Sequence, residues 1–318
     1  MLTNQTIIYN LEMKTYQQLW QSLTPLYETG EAQAIVRTVL DVKYGMTLTD
    51  IICGKVNEIS ADEERKLEEI IIRLQKGEPV QYVLGEADFA GRTFRVEPGV
   101  LIPRPETAEL CQWIEEDMIE KSIVSSGDSP EDSSKDSPEV SPQATDDAKL
   151  ILDICTGSGC IAITLGLNIP NSEVTGWDIS EDALRIARGN VEMLKARNVR
   201  IEYQDALALP KAAEAADLIV SNPPYICEKE KADMEKNVLE HEPSLALFVP
   251  DEDPLKFYRA IAEYASSTLK PEGALYFEIN PIYEKETREM LLKLDFKDIE
   301  TKEDAFGKKR MMRAKSTK

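Results

Sequence analysis

The sequence predicts an α/β protein in which a doubly wound, mostly parallel sheet follows a small helical-bundle domain. Apolar residues recur at helical spacing within the first 85 residues. From Leu150 onward, short apolar runs alternate with helical segments, a pattern typical of a parallel sheet joined by crossover helices. The candidate binding motifs follow the apolar runs, and the carboxyl ends of parallel strands form a ligand-binding edge.

Residues 1–85 are predicted to form a small helical bundle that packs against the rest of the protein or recognises a partner. Ser60 and Glu63 have the capping-box spacing at the start of one helix, and Gly77 and Pro79 follow its end. No catalytic constellation occurs in this region. The apolar residues of that helix lie at the spacing of one buried face: Leu67, Ile70, Ile71 and Leu74.

Residues 86–103 are predicted to be a β-hairpin connector, because two glycines flank the strand-like stretch 93–96. Pro105 then suits the first turn of a helix, where its missing N–H has no partner to lose. The second, larger domain is predicted to span residues 104–318.

An acidic insertion interrupts this second domain at residues 121–149, which are rich in Ser, Pro and Asp. The segment contains too few large apolar residues to offset the chain entropy lost on folding. It is therefore predicted to be a disordered loop.

Composition and charge exclude several classes of function. The chain carries a net charge of −21 at pH 7, which disfavours direct binding of nucleic acid. No apolar stretch reaches membrane-spanning length and no signal-peptide pattern begins the chain, so we expect a cytoplasmic protein without a membrane partner. Five cysteines without a CxxC pair and the single His241 predict no metal site.

A glycine turn lies between an apolar run and a helical segment in the stretch DICTGSGCIA. Glycines there let the backbone approach a ligand closely and expose N–H groups at a helix N-terminus. The G-x-G-x-x-A spacing does not separate a nicotinamide cofactor from S-adenosylmethionine. An acid just before the glycines would repel a pyrophosphate, which favours the sulfonium cofactor. The predicted cofactor-binding residues here are Asp153, Cys155, Thr156, Gly157, Ser158 and Gly159.

Acidic residues also follow the next two predicted strands. Asp178 can accept hydrogen bonds from two ribose hydroxyls, a device that both cofactors use. Asp205 is predicted to accept a hydrogen bond from the adenine amino group, with Ala206 beside the ring. One such acid alone is typical of a helix cap or a solvated loop, whereas acids at three successive strand ends indicate an adenosine pocket.

The motif Asn222-Pro223-Pro224-Tyr225 follows a fourth apolar run, and its two prolines stiffen it and remove two backbone donors. An amide or aromatic amine becomes a better methyl acceptor when hydrogen-bond acceptors hold its N–H groups. The Asn222 side-chain oxygen and the Pro223 carbonyl can do this, while Tyr225 covers the flat face. Asn222, Pro223 and Tyr225 are therefore predicted to be catalytic and all four residues to bind substrate, with Asn222 also beside the cofactor.

This motif, placed after the glycine turn, resembles the N-P-P-Y/F class of S-adenosylmethionine-dependent amino methyltransferases. That class acts on adenine, cytosine and the glutamine side-chain amide. Residues 77–107 and 242–273 further resemble segments of the peptide chain release factor glutamine N5-methyltransferases. The resemblance covers nearly all of the chain except the acidic insertion.

The resemblance implies a helical bundle, a hairpin and a Rossmann-like methyltransferase sheet. It implies S-adenosylmethionine as cofactor, with Cys155–Gly159, Asp178 and Ala206 lining its site. The bundle and the catalytic domain would jointly hold a release factor, with the glutamine of its Gly-Gly-Gln loop against Asn222–Tyr225. Cys155 departs from the family, whose turn usually begins with glycine, and the acidic insertion is a second departure.

The residues leave other functions open. The chain could methylate a ribosomal-protein glutamine or an exocyclic amine of nucleic acid. A nicotinamide-dependent oxidoreductase would use the same glycine turn but would leave the Asn-Pro-Pro-Tyr motif unexplained, and a third alternative is a non-catalytic cofactor-binding module. Arg104 suits either a ligand contact or a structural ion pair.

Overall fold

The computed structural model describes residues 15–126, 148–211 and 215–318. Residue contacts divide the chain into two compact units. The first unit contains the chain up to Gly85 together with Lys236–His241, and the second contains the remainder. In the described part of the chain, no helix combines the length and the apolar character needed to cross a membrane.

The helices are α1 (Tyr16–Gln21), α2 (Thr29–Tyr44), α3 (Leu48–Ile52), α4 (Ala61–Leu74), α5 (Val80–Leu84), α6 (Pro105–Ser126), α7 (Cys160–Asn168), α8 (Glu181–Leu194), α9 (Lys236–His241), α10 (Ser244–Leu247), α11 (Lys256–Thr268) and α12 (Glu284–Lys293). The strands are β1 (Glu86–Phe89), β2 (Arg92–Arg95), β3 (Lys149–Ile154), β4 (Ser172–Asp178), β5 (Val199–Tyr203), β6 (Ala216–Ser221), β7 (Ile226–Cys227), β8 (Phe248–Val249), β9 (Leu269–Glu278), β10 (Lys297–Glu303) and β11 (Lys309–Lys315).

Helix α4 of the first unit begins as its sequence predicts. The Ser60 hydroxyl accepts a hydrogen bond from the Glu63 N–H, and the Glu63 carboxylate accepts one from the Ser60 N–H. Leu67, Ile71 and Leu74 are buried in the core of this unit. The apolar periodicity of the sequence therefore identifies the buried face of α4.

Helix α9 packs with the first unit, although the sequence predicts one continuous second domain over residues 104–318. A Cβ atom built on Gly77 would lie 3.9 Å from Nε2 of His241. A helix of six residues has too little periodicity to reveal its packing partner from sequence.

Strands β1 and β2 form an antiparallel hairpin where the sequence predicts one, with Phe89 paired to Arg92. The two loop residues, Ala90 and Gly91, have φ values of 48° and 72°. Both values are left-handed, as a two-residue hairpin turn requires. Phe94 of β2 is fully buried, and its ring meets that of Phe89 edge-on at 5.8 Å.

Seven strands form one sheet in the order β10-β11-β9-β6-β3-β4-β5. Strands β3, β4, β5, β6 and β9 are parallel, and β11 is antiparallel to both of its neighbours. The predicted doubly wound, mostly parallel sheet is therefore confirmed. The chain leaves the centre at β3, reaches β5 and returns at β6, so the strand order reverses between β3 and β6. Ligands of such sheets bind at this reversal.

Regular structure occupies both ends of the segment predicted to be a disordered insertion, 121–149. Helix α6 continues to Ser126, because the stretch before that residue contains no glycine or proline to end it. Strand β3 begins at Lys149, whose N–H donates to the Asn171 carbonyl over 2.8 Å. The rest of the predicted insertion, 127–147, lies outside the described residues.

Two hydrophobic clusters cover the two faces of the sheet, and β9 contributes to both. Tyr276 belongs to the cluster with α6, α7 and α8, and Phe277 to the cluster with α11 and α12. The Tyr276 ring lies 5.6 Å from that of Trp113, and the Phe277 ring 5.1 Å from that of Tyr258. Burying each of these side chains contributes roughly 2–3 kcal/mol, so the strand ends rest on a well-packed sheet.

Candidate active site

The carboxyl ends of β3, β4, β5 and β6 border one cleft of about 920 Å³, part of it open to solvent. The loop 99–104, the starts of α6 and α8, and parts of 243–246 form other walls. The sequence-predicted residues that border this cleft are Cys155, Thr156, Gly157, Ser158, Asp178, Asp205, Ala206, Asn222 and Pro224. Four strand ends therefore bring most of the predicted site residues to one place.

The turn after β3 uses three residues with left-handed backbones. Cys155, Gly157 and Gly159 have φ values of 65°, 56° and 80°. The Thr156 N–H donates to the Trp177 carbonyl and the Gly159 N–H to the Thr156 carbonyl, each over 2.9 Å. Glycine adopts these values freely, whereas the Cys155 side chain costs about 1–2 kcal/mol. The cysteine that departs from the family pattern thus stands at a position suited to glycine.

Gly159 contacts helices rather than the cleft. A Cβ atom there would lie 3.1 Å from Cδ1 of Ile163 and 3.2 Å from Cβ of Ala187. The absence of a side chain lets α7 begin close to α8. Gly159, a predicted cofactor-binding residue, does not border the cleft, and its cofactor contact stays a prediction.

Asp153 lies beneath the glycine turn and does not border the cleft. Its fully buried carboxylate accepts hydrogen bonds from the Thr156 hydroxyl over 2.6 Å and the Ala162 N–H over 3.1 Å. Its second oxygen has no hydrogen-bond partner among the described residues. Burial raises the pKa of Asp153 to about 7, against the effect of these hydrogen bonds. Asp153 supports the turn through these two hydrogen bonds, and its predicted cofactor contact stays a prediction.

Asp178 joins the end of β4 to the glycine turn. Its two carboxylate oxygens accept hydrogen bonds from the Gly157 and Ser180 N–H groups, each over 2.9 Å. Burial raises the pKa of Asp178, and the hydrogen bonds from Ser180 and Gly157 oppose that rise. Each oxygen has a further lone pair, so the carboxylate can still accept hydrogen bonds from a ligand.

Asp205 and Ala206 follow β5 and border the cleft together. The Asp205 carboxylate accepts a hydrogen bond from the Leu207 N–H over 2.8 Å, which holds the loop in place. Ala206 is buried. An acceptor oxygen beside a small apolar side chain suits a flat ring that bears an amino group.

Asn222 follows β6, and its side-chain Nδ2 donates to the hydroxyl of Thr107 over 3.2 Å. Both residues border the cleft, as does Pro224, whereas Pro223 does not. The carboxamide of Asn222 is therefore held in place by its nitrogen end.

Tyr225, predicted to cover the face of a substrate, does not border the cleft. Its hydroxyl donates to a carboxylate oxygen of Glu278 over 3.0 Å, and its carbonyl accepts from Asn280 Nδ2 over 3.1 Å. Burial raises the pKa of Tyr225 well above its usual range. These contacts hold the motif from behind.

Two residues of this network, Thr107 and Glu278, were missed in the sequence. The Thr107 hydroxyl donates to Glu278 over 2.5 Å, and both side chains are buried. Glu278 ends an apolar run, as Asp153 and Asp178 do, and that shared pattern could have identified it. Thr107 follows the proline-rich segment and has no comparable signal.

Arg104 combines the two roles that its sequence left open. It borders the cleft and forms an ion pair with Glu242, whose side chain is 1% exposed. Glu242 also accepts a hydrogen bond from the Ile102 N–H over 3.2 Å. Among the described residues that border the cleft, Arg104 is the only cationic one.

Comparisons with known families match both parts of the chain. Residues 145–304 match the model of a methyltransferase domain. Residues 21–85 match the model of the PrmC N-terminal domain.

Curated relatives cover nearly the whole chain. A release factor glutamine methyltransferase of Bacteroides thetaiotaomicron is 47% identical over 92% of this chain and 96% of its own length. An enzyme of the same name from Flavobacterium psychrophilum is 36% identical over 95% of this chain and 98% of its own length. Among solved structures, a ribosomal protein L11 methylase from Lactobacillus delbrueckii is 17% identical, covers 70% of this chain and 83% of its own, and has a TM-score of 0.43.

Proposed function

This chain belongs to the release factor glutamine methyltransferases, and from that premise we propose what it transfers and to what. A methyl group passes from S-adenosylmethionine to the side-chain amide nitrogen of the glutamine in the Gly-Gly-Gln motif of peptide chain release factors. The observation that carries this proposal is the Asn222 carboxamide, held by Thr107 at a cleft that acidic strand ends also border.

The residues around the cleft fit S-adenosylmethionine. Asp178 would accept hydrogen bonds from its ribose hydroxyls and Asp205 from its adenine amino group, with Ala206 beside the ring. The turn 155–158 would lie along its chain. Arg104, the one cationic residue described at the cleft, is already paired with Glu242, so the described lining offers no free cation for a pyrophosphate and suits a ligand without phosphate.

The Asn-Pro-Pro-Tyr residues would orient the acceptor. When bound, S-adenosylmethionine would supply an electrophilic methyl group and would leave as S-adenosylhomocysteine, because the electrons of the broken S–CH₃ bond return to sulfur. The amide nitrogen would take the methyl group with its own lone pair and release one proton to water. The Asn222 side-chain oxygen, which lies at the cleft, would accept a hydrogen bond from an N–H bond of the glutamine. This acceptor would hold the nitrogen in line and reduce delocalisation of its lone pair. Tyr225 keeps the motif rigid through Glu278.

The proposed partner is a protein, and the proposed location is the cytoplasm, where release factors act. The net charge of −21 supports a protein substrate over nucleic acid, because phosphate backbones would be repelled. A ribosomal-protein glutamine and a nucleic-acid amine remain the competing acceptors.

Transfer of a labelled methyl group tests the proposal. The full-length chain is incubated with methyl-labelled S-adenosylmethionine and a purified release factor, and mass spectrometry locates the label. We expect label on the glutamine of the Gly-Gly-Gln motif only. The matched control is a release factor whose glutamine is replaced by glutamate, which keeps the shape and removes the nitrogen. Label on that control, or on DNA or ribosomal protein alone, overturns the substrate assignment.

A further inference from the structure

Four side chains from three parts of the chain form a continuous hydrogen-bonded network that runs inward from the cleft. Asn222 donates to Thr107 over 3.2 Å, Thr107 to Glu278 over 2.5 Å, and Tyr225 to Glu278 over 3.0 Å. Thr107 and Glu278 are each 2% exposed, so water does not compete for these contacts. In such a place, the direction of each hydrogen bond is decided by the protein alone.

The direction of each hydrogen bond in this network follows from which of the four side chains carries a proton to donate. A carboxylate only accepts, so the hydroxyl protons of Thr107 and Tyr225 both point to Glu278. Thr107 has no second proton, and its oxygen can therefore only accept from Asn222. The Asn222 carboxamide must turn its NH₂ group toward Thr107. Its oxygen, which accepts no hydrogen bond from the described residues, is then left for the cleft.

Charged groups from other elements surround Glu278. Burial raises the pKa of Glu278, while the hydrogen bonds from Thr107 and Tyr225 and the charge of Arg310 lower it. Glu106 of α6 adds to the rise. The hydrogen-bond directions given above apply to the ionised form of this carboxyl group.

We propose that Thr107 and Glu278 are positioning residues, which hold the Asn222 carboxamide with its oxygen toward the acceptor. The idea rests on the proposed function in one respect, because it takes an N–H donor as the substrate. The same arrangement selects the substrate. An oxygen at this point attracts the N–H of glutamine and repels the carboxylate of glutamate, whereas an inverted carboxamide would do the opposite.

The test compares Thr107→Val, Thr107→Ser and Thr164→Val in the full-length chain. Valine keeps the shape of threonine without its hydroxyl, and serine restores the hydroxyl. Thr164 is the matched control, because it is fully buried and its hydroxyl has no hydrogen-bond partner among the described residues. For each variant we would measure kcat, KM for release factor, Kd for S-adenosylhomocysteine and the unfolding temperature.

Thr107→Val is expected to lower kcat by about ten- to a hundredfold, since the carboxamide is then free to turn. Its Kd for S-adenosylhomocysteine should stay within about twofold, because the carboxylates that bind adenosine are untouched. Thr107→Ser and Thr164→Val should both keep kcat within about threefold of the original. An unchanged kcat in Thr107→Val, or an equal loss in Thr107→Ser, overturns the proposal.

Glu278→Gln provides a second test of the positioning role, which can be used if Thr107→Val fails to fold. A glutamine side chain at 278 can offer Thr107 either a donor or an acceptor. The direction of the hydrogen bonds from Asn222 through Thr107 is then no longer imposed. The release factor carrying glutamate should then inhibit methylation about tenfold more strongly than it inhibits the original enzyme. Equal inhibition of the two enzymes contradicts the proposal.

Failure of the proposed function would be seen separately from failure of this inference. If the original enzyme methylates a different N–H acceptor, the same variants are measured on that acceptor. A kcat ratio near one between Thr107→Ser and Thr107→Val would then still overturn the positioning role.

Discussion

Asp153 is the penultimate residue of β3 and Asp178 the last residue of the neighbouring parallel strand β4, yet only Asp178 borders the cleft. The Asp153 carboxylate accepts hydrogen bonds from the Thr156 hydroxyl and the Ala162 N–H within the protein. At the scale of single residues, similar sequence positions therefore have different uses, because burial decides whether a carboxylate meets a ligand or supports a turn.

We expect Asn222→Ala to lower turnover on the order of a hundredfold, because it removes one preorganised acceptor from the substrate amide. Cofactor affinity should change little, since Asp178 and Asp205 follow other strands. Steady-state kinetics with release factor and calorimetry with S-adenosylhomocysteine measure the two effects. A collapse of cofactor binding would instead give Asn222 a cofactor-directed or structural role.

Asp153 should make stability depend on pH. Its pKa is about 7 in the folded chain against an ordinary value of 3.8. Between these values the folded chain holds a proton that the unfolded chain has released, so its contribution to stability is lost as pH rises toward 7. The free energy of unfolding of the original chain, minus that of Asp153→Asn, should therefore fall as pH rises.

Urea unfolding of both proteins at several pH values between about 5 and 8 measures this difference. The difference should level off above the folded pKa. A difference that stays constant over the whole range would show that Asp153 is ionised in the folded chain throughout.

At the scale of elements, β4 passes close beneath the glycine turn. A Cβ atom at Gly176 would lie 2.7 Å from the Thr156 hydroxyl oxygen and 2.9 Å from Cδ1 of Ile201. The strand and the turn therefore share a space that only glycine leaves open. Because Gly176 has no side chain, Thr156 of the glycine turn can lie close to β4.

Gly176→Ala should lower the free energy of unfolding by about 1–3 kcal/mol, because the added methyl group overpacks this space. It should also weaken binding of S-adenosylhomocysteine by displacing Thr156. Gly189→Ala in α8 is the control, since a Cβ there meets no neighbouring atom within 4 Å. That change should stabilise the chain by about 0.5–1 kcal/mol. Urea unfolding and calorimetry test both variants, and equal effects would contradict the close approach.

Elements differed in how well the sequence predicted them. The start of α4, the hairpin turn and the alternation of β and α segments follow from caps, turn residues and periodicity, all of which act between chain neighbours. The end of α6 at Ser126 and the packing of α9 were not anticipated. Helix ends without a strong stop signal and very short helices depend on contacts with the rest of the fold.

At the scale of the whole molecule, the doubly wound sheet assembles the site, because four strand ends meet at one cleft. The acidic lining of that cleft should decide which cofactor binds. S-adenosylhomocysteine at a hundred times its Kd should stabilise the unit containing the cleft by about 2.7 kcal/mol. NAD should give no shift, since the one cationic residue described at the cleft, Arg104, is already paired with Glu242 and would not neutralise a pyrophosphate. Thermal unfolding and calorimetry compare the two, and tight NAD binding without S-adenosylhomocysteine binding would end the methyltransferase proposal.

The sequence by itself determined the order of the elements, the acidic residues at the strand ends and the chemistry of the Asn-Pro-Pro-Tyr motif. These follow from local periodicity, turn residues and side-chain types, which a linear pattern contains. Only the tertiary structure decided which of those side chains border the cleft. Four predicted residues do not border it: Asp153, Gly159, Pro223 and Tyr225.

Only the tertiary structure also revealed the contacts of Thr107 with Asn222 and Glu278, which lie 115 and 171 positions away along the chain. Contacts between residues so far apart in sequence depend on how α6 packs against the sheet that contains β6 and β9. The direction in which the Asn222 carboxamide points depends on those pairs, because its two ends have the same size and only their hydrogen bonds distinguish them.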